Sequence, residues 1–156
     1  MKEKDFIPKA YSKTLTNGNV TWSSPSNIAL VKYWGKKEDQ IPTNPSISFT
    51  LDACKTTTNL SYLEKANSDD FSLEVFLEGE KKEEFKPKIF TFFKRIEKYL
   101  PFLKNDHFKI ETTKSFPHSS GIASSASGMS ALALCLMSIE RSLSEVKLSD
   151  EYFMQK

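Results

Sequence analysis

The 156-residue sequence contains few cysteines and few arginines. Its only cysteines, Cys54 and Cys135, lie far apart in the chain and form no CxxC pair. A secreted domain held by disulfides needs a denser set of cysteines, so we expect two reduced thiols in a cytoplasmic protein. The only arginines, Arg95 and Arg141, leave few candidates for a bidentate clamp on a phosphate or carboxylate.

Long apolar runs and a strong net charge are also missing. The first residues lack the apolar run of a signal peptide. No stretch approaches the roughly 18 apolar residues of a membrane-spanning helix, so we expect no membrane partner. Lysine and arginine total 22 against 20 acidic residues, a net charge of +2. This balance argues against a nucleic-acid partner, and it leaves a few lysines for one anionic small molecule.

The apolar pattern predicts an α+β fold. Segments rich in β-branched and aromatic residues, or with alternating apolar residues, predict strands at 20–24, 28–34, 47–51, 56–63, 71–77 and 107–113. Pro87 opens a helix whose apolar residues recur every three or four positions, and Pro101 limits it. A second helix runs to about Leu143, and Ser149 is a candidate cap for a last one. Strands and helices do not alternate regularly, which favours α+β over α/β.

The composition divides the chain at residue 20. Residues 1–19 are polar and end in the turn-forming run TNGN, which predicts a loose N-terminal segment. Residues 20–156 carry the apolar pattern and form the folded domain. The last predicted helix stops after two turns, which is typical of a fragment or a cleaved product.

The stretch SFPHSSGIASSASGMSALALCL, which begins at Ser115, joins a predicted strand to a predicted helix. Ser124, Ser125 and Ser127 fall in the first turn of that helix, where backbone N–H groups lack intrahelical partners and the helix dipole favours an anion. Gly121 permits a left-handed backbone and a close approach by a ligand. The spacing alone is equally consistent with a tight packing loop, and the Walker A pattern is absent.

The stretch SPSNIALVKYWGKK, residues 24–37, ends an apolar segment with lysines. If it is extended throughout, Lys32 and Lys36 project to the same side. Two ammonium groups at the end of a strand suit a diphosphate. The segment by itself equally allows Gly35 to turn the chain outward, which leaves Lys36 in solvent. Asn27 either orients a ligand or forms a turn.

Three motifs together resemble the diphosphomevalonate decarboxylase family of the GHMP kinase superfamily. They are NIALVKYWGK from Asn27, PTNPSISFTL from Pro42 and PHSSGIASSAS from Pro117, and KTTT at 55–58 also fits. The third motif has the form P-x-x-x-G-[LI]-x-S-S-A of the superfamily's nucleotide loop. The run KYWGK narrows the resemblance to the decarboxylase branch.

The resemblance implies a fold and a reaction. The fold is a truncated GHMP kinase-type N-terminal domain, similar to the second domain of ribosomal protein S5, which binds ATP through residues 20–156. The reaction is the ATP-dependent decarboxylation of mevalonate 5-diphosphate to isopentenyl diphosphate, with ADP, phosphate and CO₂, in the mevalonate pathway of isoprenoid biosynthesis. ATP and Mg²⁺ are the implied cofactors. A homodimer, or association with the missing C-terminal half, is the implied assembly.

The resemblance also implies roles for individual residues. Lys36 and Lys32 are the candidate catalytic residues, with Lys36 nearest the transferred phosphoryl group. Ser124 is the candidate magnesium ligand. The implied substrate-binding residues are Asn27, Lys32, Tyr33, Lys36 and Ser48. The implied nucleotide-binding residues are Ser119, Ser120, Gly121, Ile122, Ala123, Ser124, Ser125 and Ser127.

The sequence departs from the family pattern in three respects. His118, Ser119 and Ser120 stand where T-A-A is typical, and we interpret His118 as structural or solvent-facing rather than catalytic. Pro45 replaces a usual serine. The family's G-S-G-S-x-x-R-S segment and its later catalytic aspartate have no match in these residues. We therefore expect the 156 residues alone to be inactive.

Two other functions stay open at this point. The first is a kinase for mevalonate-type substrates, or a decarboxylase for a differently phosphorylated mevalonate. The second is a non-catalytic module that binds a nucleotide without turnover.

Overall fold

The chain folds into one mixed β-sheet with helices packed on one of its faces. A computed structural model describes residues 2–14, 16–38, 41–66, 69–117, 120–144 and 148–156. The strands are β1 (Asn17–Val31), β2 (Ile47–Glu64), β3 (Ser72–Leu77), β4 (Glu80–Lys81) and β5 (Asp106–Lys114), and the helices are α1 (Lys86–Ile96), α2 (Ser124–Leu143) and α3 (Asp150–Gln155). The predicted α+β class is confirmed.

The sheet has the strand order β1-β2-β5-β3-β4. All neighbouring strands pair antiparallel except β3 and β5, which are parallel. The parallel pair is possible because α1 lies between these two strands in the chain and crosses over one face of the sheet. Pro87 stands in the first turn of α1, as predicted, where its missing N–H has no helical partner.

Strands β1 and β2 are more continuous than predicted. The sequence divides each into two short strands, whereas β1 continues through Pro25 and β2 is a single strand of 18 residues. Pro25 pairs with Lys55 but Ser26 pairs with Leu51, so residues 52–54 form a bulge. Proline is tolerated in an edge strand and beside a bulge. Pro25 lies in an edge strand and next to the bulge. The stop expected at Pro25 is therefore wrong.

The core lies between the sheet and helices α1 and α2. Leu60 and Phe108 from the sheet, Phe93 from α1 and Leu136 from α2 are all completely buried. Phe93 and Phe108 meet edge to face, with ring centroids 5.7 Å apart. Each such side chain contributes about 1.5–3 kcal/mol when it leaves water, so this layer holds the two helices on the sheet.

The N-terminal residues lie against the helical side of the domain. Glu3 forms an ion pair with Lys98 at 2.7 Å, and the rings of Phe6 and Tyr152 make a tilted contact with centroids 5.5 Å apart. Strand β1 begins at Asn17, while the division of the chain into domains at residue 20 stays a prediction.

The C-terminal helix α3 is anchored by its cap and by a buried ion pair. The Ser149 hydroxyl accepts a hydrogen bond from the Tyr152 N–H at 3.1 Å, which confirms the predicted cap. The Lys156 ammonium pairs with the Glu140 carboxylate of α2, and both side chains are almost fully buried. Within the described parts of the chain, none of the helices has both the length and the apolar character needed to cross a lipid bilayer.

The fold disfavours the charged form of the Asp106 carboxylate. It is buried at the start of β5, directly opposite Glu64 of β2. Burial first, and the Glu64 charge second, raise the pKa of Asp106 from its usual 3.8 to about 6. The folded state therefore binds a proton more tightly than the unfolded state does, so stability falls as pH rises from about 4 to about 6.

Asp106→Asn is expected to remove this pH dependence. The free energy of unfolding of the variant should change less between pH 4 and pH 6, and at pH 7 the variant should be more stable by about 2 kcal/mol. Urea unfolding at pH 4, 5, 6 and 7 measures both effects. Asp52→Asn at the exposed bulge of β2 makes the same chemical change as a control. An Asp106→Asn slope equal to that of the unmodified protein contradicts the prediction.

Candidate functional site

Among the residues that the structure describes, no side chain caps the N-terminus of α2. The residue before the helix is Ala123, which has no side-chain oxygen to cap it. Ser124 is half-buried and Ser125 is exposed at the first turn. Gly121 has a φ of 78°, and a Cβ added there meets nothing within 4 Å, so the backbone conformation rather than space requires glycine. The geometry is that of an anion-binding helix terminus.

The other loop residues predicted to bind the nucleotide surround this turn. Ser120, Gly121 and Ala123 are exposed, and Ile122 is half-buried. His118 and Ser119 lie outside the described residues, so their predicted roles stay predictions.

The loop is tied to both strands beside it. At its start, the Ser115 N–H donates to the Lys55 carbonyl at 2.9 Å, and the Lys55 N–H donates to the Ser115 hydroxyl at 2.8 Å. Before the helix, the buried Ser26 hydroxyl of β1 donates to the Ile122 carbonyl at 3.0 Å. The position of the loop is therefore set by β1 and β2 as well as by α2.

A cavity of about 230 Å³ opens beside this helix terminus. Ser124 and Ser125 lie at one part of its wall. Much of the rest is apolar and comes from both layers of the fold, including Val75, Leu77, Ile89, Ile110, Met129 and Leu132. An apolar chamber with a few polar groups at one place is the usual form of a small-molecule site.

Two lysines at this cavity were not found by sequence reasoning. Lys88 belongs to the first turn of α1 and Lys114 is the last residue of β5, and both line the cavity. Lys114 directly precedes Ser115, so its position before the loop was a usable signal. The sequence contains no such signal for Lys88, because only the crossover of α1 brings this residue to the loop. Both ammonium groups add positive charge where an anion is expected.

Ser127 is placed differently from Ser124 and Ser125. It is 3% exposed, and its hydroxyl is engaged by Thr56 and by the Ser124 carbonyl. A hydroxyl held in this way does not face the cavity, so its geometry gives no support to the direct nucleotide contact expected of Ser127. Sequence spacing could not separate these serines, because all of them fall within one turn of α2.

The predicted lysines lie on a compact exposed loop after β1. The Asn44 side chain accepts from the Trp34 N–H at 2.8 Å and donates to the Lys32 carbonyl at 3.3 Å. A side chain thus replaces a neighbouring strand as the partner of this backbone. The expected strand at 28–34 therefore ends at Val31, and the alternation that placed Lys32 and Lys36 on one side does not apply.

The loop nevertheless groups three of the predicted substrate residues. Lys32, Tyr33 and Lys36 are all exposed, and the Lys36 ammonium lies 5.6 Å from the centroid of the Tyr33 ring. An ammonium over an aromatic face is held there by cation–π attraction. The arrangement presents two cationic side chains and a phenol hydroxyl to a ligand.

Asn27 and Ser48 lie on one face of the ribbon formed by β1 and β2 beyond the bulge. Asn27 pairs with Thr50 and Ala29 pairs with Ser48, so the two predicted polar residues are diagonal neighbours. Lys32 is six residues beyond Ser26, which contacts the serine-rich loop. At about 3.3 Å per residue, β1 therefore separates the two loops by no more than about 20 Å.

Comparison with known proteins identifies the family. A profile of the diphosphomevalonate decarboxylase-like N-terminal domain matches residues 24–151. The chain belongs to this family. The family resemblance inferred from the sequence motifs is thereby confirmed. Rat diphosphomevalonate decarboxylase is 33% identical over 147 residues, which cover 81% of this chain and 35% of the rat protein. The chain thus spans about a third of the length of the curated relatives it matches.

Solved structures of diphosphomevalonate decarboxylases agree with the fold. The Staphylococcus aureus mevalonate diphosphate decarboxylase matches with a TM-score of 0.66 and 30% identity, over 88% of this chain and 40% of that chain. The Enterococcus faecalis enzyme, studied for mevalonate-diphosphate-mediated ATP binding, matches with a TM-score of 0.62 and 30% identity, over 86% of this chain and 39% of that chain. MDDEF, solved with MVAPP, AMPPCP and magnesium, gives the same TM-score and identity over 86% of this chain and 38% of that chain.

Proposed function

We propose that this chain forms the nucleotide-binding part of an enzyme that decarboxylates mevalonate 5-diphosphate to isopentenyl diphosphate. ATP phosphorylates the 3-hydroxyl in this reaction, and ADP, phosphate and CO₂ are released. One observation carries the proposal: the N-terminus of α2, which has no side-chain cap among the described residues, opens onto an apolar cavity that is also lined by Lys88 and Lys114.

In this proposal the ATP phosphates lie at the first turn of α2. The N–H groups of Ser124 and Ser125 and the backbone at Gly121 bind phosphate oxygens, and the apolar cavity receives the less polar part of the nucleotide. The complex of MDDEF with AMPPCP supports a nucleotide as the ligand, since MDDEF is similar to this chain.

Magnesium fits the same place. Mg²⁺ is usually held by substrate phosphates and one or two protein oxygens, and the half-buried Ser124 hydroxyl beside the cavity is such an oxygen. When bound, the ion neutralises charge on the phosphates.

The loop after β1 that carries Lys32 and Lys36, the lysine loop, forms the substrate side of the proposed site. Lys32 and Lys36 bind the anionic groups of mevalonate 5-diphosphate with Tyr33, and Asn27 and Ser48 lie along the adjoining ribbon. Phosphoryl transfer depends mainly on positioning and charge stabilisation, which Lys36 provides near the transferred group. When the new 3-phosphate leaves, the electrons of the bond to the carboxylate form the double bond of the product, and CO₂ is released.

An exposed apolar side of the β1–β2 ribbon supports association with a further polypeptide. Ile28 and Phe49 face each other there and are 41% and 58% exposed, and Val31 and Ile47 pair next to them and are also exposed. A cluster of this kind is usually covered in a working protein. We assign its cover to a polypeptide equivalent to the remaining two thirds of the relatives' length, without which the 156 residues bind nucleotide but do not turn over.

A cytoplasmic location completes the proposal. Cys135 is buried and Cys54 is half-buried, and both are free thiols. Reduced cysteines are typical of the cytoplasm, where thiol-reducing systems operate.

Release of labelled CO₂ tests the proposed reaction. The complete gene product is incubated with carboxyl-labelled mevalonate 5-diphosphate, ATP and Mg²⁺, and CO₂ and ADP are measured together. We expect both in equal amounts. ADP without CO₂ indicates a kinase instead, and ATP binding without either product indicates a non-catalytic nucleotide-binding protein. Turnover by the 156 residues alone contradicts the assignment of the apolar ribbon face.

A further inference from the structure

Two buried hydroxyls connect β2 to the first turn of α2. Thr56 of β2 and Ser127 of α2 are 1% and 3% exposed, and their oxygens lie 2.6 Å apart. The Ser127 hydroxyl is also 3.0 Å from the carbonyl oxygen of Ser124. The connection therefore ends on the residue at which we place the nucleotide phosphates.

The direction of these hydrogen bonds follows from the proton count. A carbonyl oxygen only accepts, so the single Ser127 proton is donated to Ser124. The Ser127 oxygen can then only accept from Thr56, whose proton is donated to it. Thr56 is thus the first donor of a chain that runs from β2 through Ser127 to the backbone of Ser124.

The methyl group of Thr56 packs against α2 next to Ser127. A Cβ added at Gly128 would lie 3.8 Å from the Thr56 methyl group, so the helix packs closely on β2 at this point. A valine has the same shape as threonine and satisfies such packing without a polar atom. A buried hydroxyl is costly unless it is bonded, so packing alone does not account for the Thr56–Ser127 pair.

We infer that Thr56 and Ser127 are positioning residues for the nucleotide phosphates. Their hydrogen bonds fix the position and orientation of the first turn of α2 on β2. The direction of its N–H groups and of the Ser124 hydroxyl follows from that orientation. Ser127 is not part of the cavity wall and acts only through Ser124, whereas Thr56 also lines the cavity. This inference rests on the proposed nucleotide site.

Four variants of the complete gene product separate positioning from stability. They are Ser127→Ala, Thr56→Val, the combined Thr56→Val/Ser127→Ala and the conservative Thr56→Ser. Calorimetry gives the affinities for Mg·ATP and for adenosine, which carries no phosphate, and thermal unfolding gives Tm.

Ser127→Ala leaves the Thr56 proton buried without an acceptor, so Tm falls. Adding Thr56→Val removes that stranded hydroxyl, so Tm recovers in the combined variant. We expect Mg·ATP affinity to stay about tenfold weaker in the combined variant, because the connection is still missing. Thr56→Ser should bind Mg·ATP within about twofold of the unmodified protein. Adenosine affinity should not change in Ser127→Ala, the variant that leaves the cavity wall intact.

The outcomes distinguish the inference from the proposed function. If Mg·ATP affinity recovers together with Tm in the combined variant, the pair acts only on stability and the inference is overturned. An equal loss of adenosine affinity in Ser127→Ala also overturns it, because the effect is then not confined to the phosphates. If the unmodified protein fails to bind Mg·ATP, the proposed function fails, and the inference with it.

Discussion

Ser125→Asp is expected to weaken Mg·ATP binding by at least about 100-fold without destabilising the fold, because like charges brought together in a binding site cost several kcal/mol. Ser125 is exposed in the first turn of α2, beside the cavity. A carboxylate there repels the phosphates. The same carboxylate interacts favourably with the helix dipole, which adds about 0.3–1 kcal/mol to stability. Calorimetric titration and thermal unfolding of the complete gene product measure the two effects.

Ser130→Asp is the matched control. Ser130 is an exposed serine further along α2 and does not line the cavity, so the charge change is the same. Its Mg·ATP affinity should stay within about twofold of the unmodified protein, because the added charge is exposed and screened. If Ser125→Asp binds Mg·ATP normally, the phosphates do not lie at this helix terminus and the proposed site is wrong.

Lys36→Met is expected to lower kcat/KM for CO₂ release by about 10²–10³-fold, the usual cost of removing one group that stabilises charge in the transition state. Methionine keeps most of the length of the lysine side chain but removes the ammonium beside the Tyr33 ring. Steady-state CO₂ release by the complete gene product measures the loss. Nucleotide affinity should change little, because Lys36 lies on the substrate side of the proposed site.

Lys37→Met serves as the control for this variant. Lys37 is adjacent and also exposed, and its backbone N–H bond to the Ile41 carbonyl at 2.8 Å does not involve the side chain. Activity of Lys37→Met should stay close to that of the unmodified enzyme. Similar losses in both variants point to the general charge of the loop and contradict a specific role for Lys36.

Local periodicity predicted those parts of the fold that depend on local sequence. The helix that opens at Pro87, the cap at Ser149 and the strand now seen as β5 all follow from residues within one element. The continuity of β1 through Pro25 did not follow, because it depends on an edge position and on a bulge in the paired strand. Both are properties of the sheet, which a single segment does not encode.

The candidate site also has features that local sequence predicts and features that depend on packing. The loop motif located the turn that leads into α2, since glycine favours the positive φ found at Gly121. It did not distinguish the outward Ser125 from the inward Ser127, because the packing of α2 on β2 decides which serine is buried. Lys88 was missed for a related reason, since it reaches the cavity only through the crossover of α1.

The ribbon beyond the bulge has a further consequence for the geometry of the proposed reaction. Its two strands hold the serine-rich loop at Ser26 and the lysine loop after Val31 at a separation fixed by the number of residues between them. Removing two residues from each strand would keep every side chain on its present face but bring the loops closer by about 7 Å. Strand length therefore sets the size of substrate that reaches from one loop to the other.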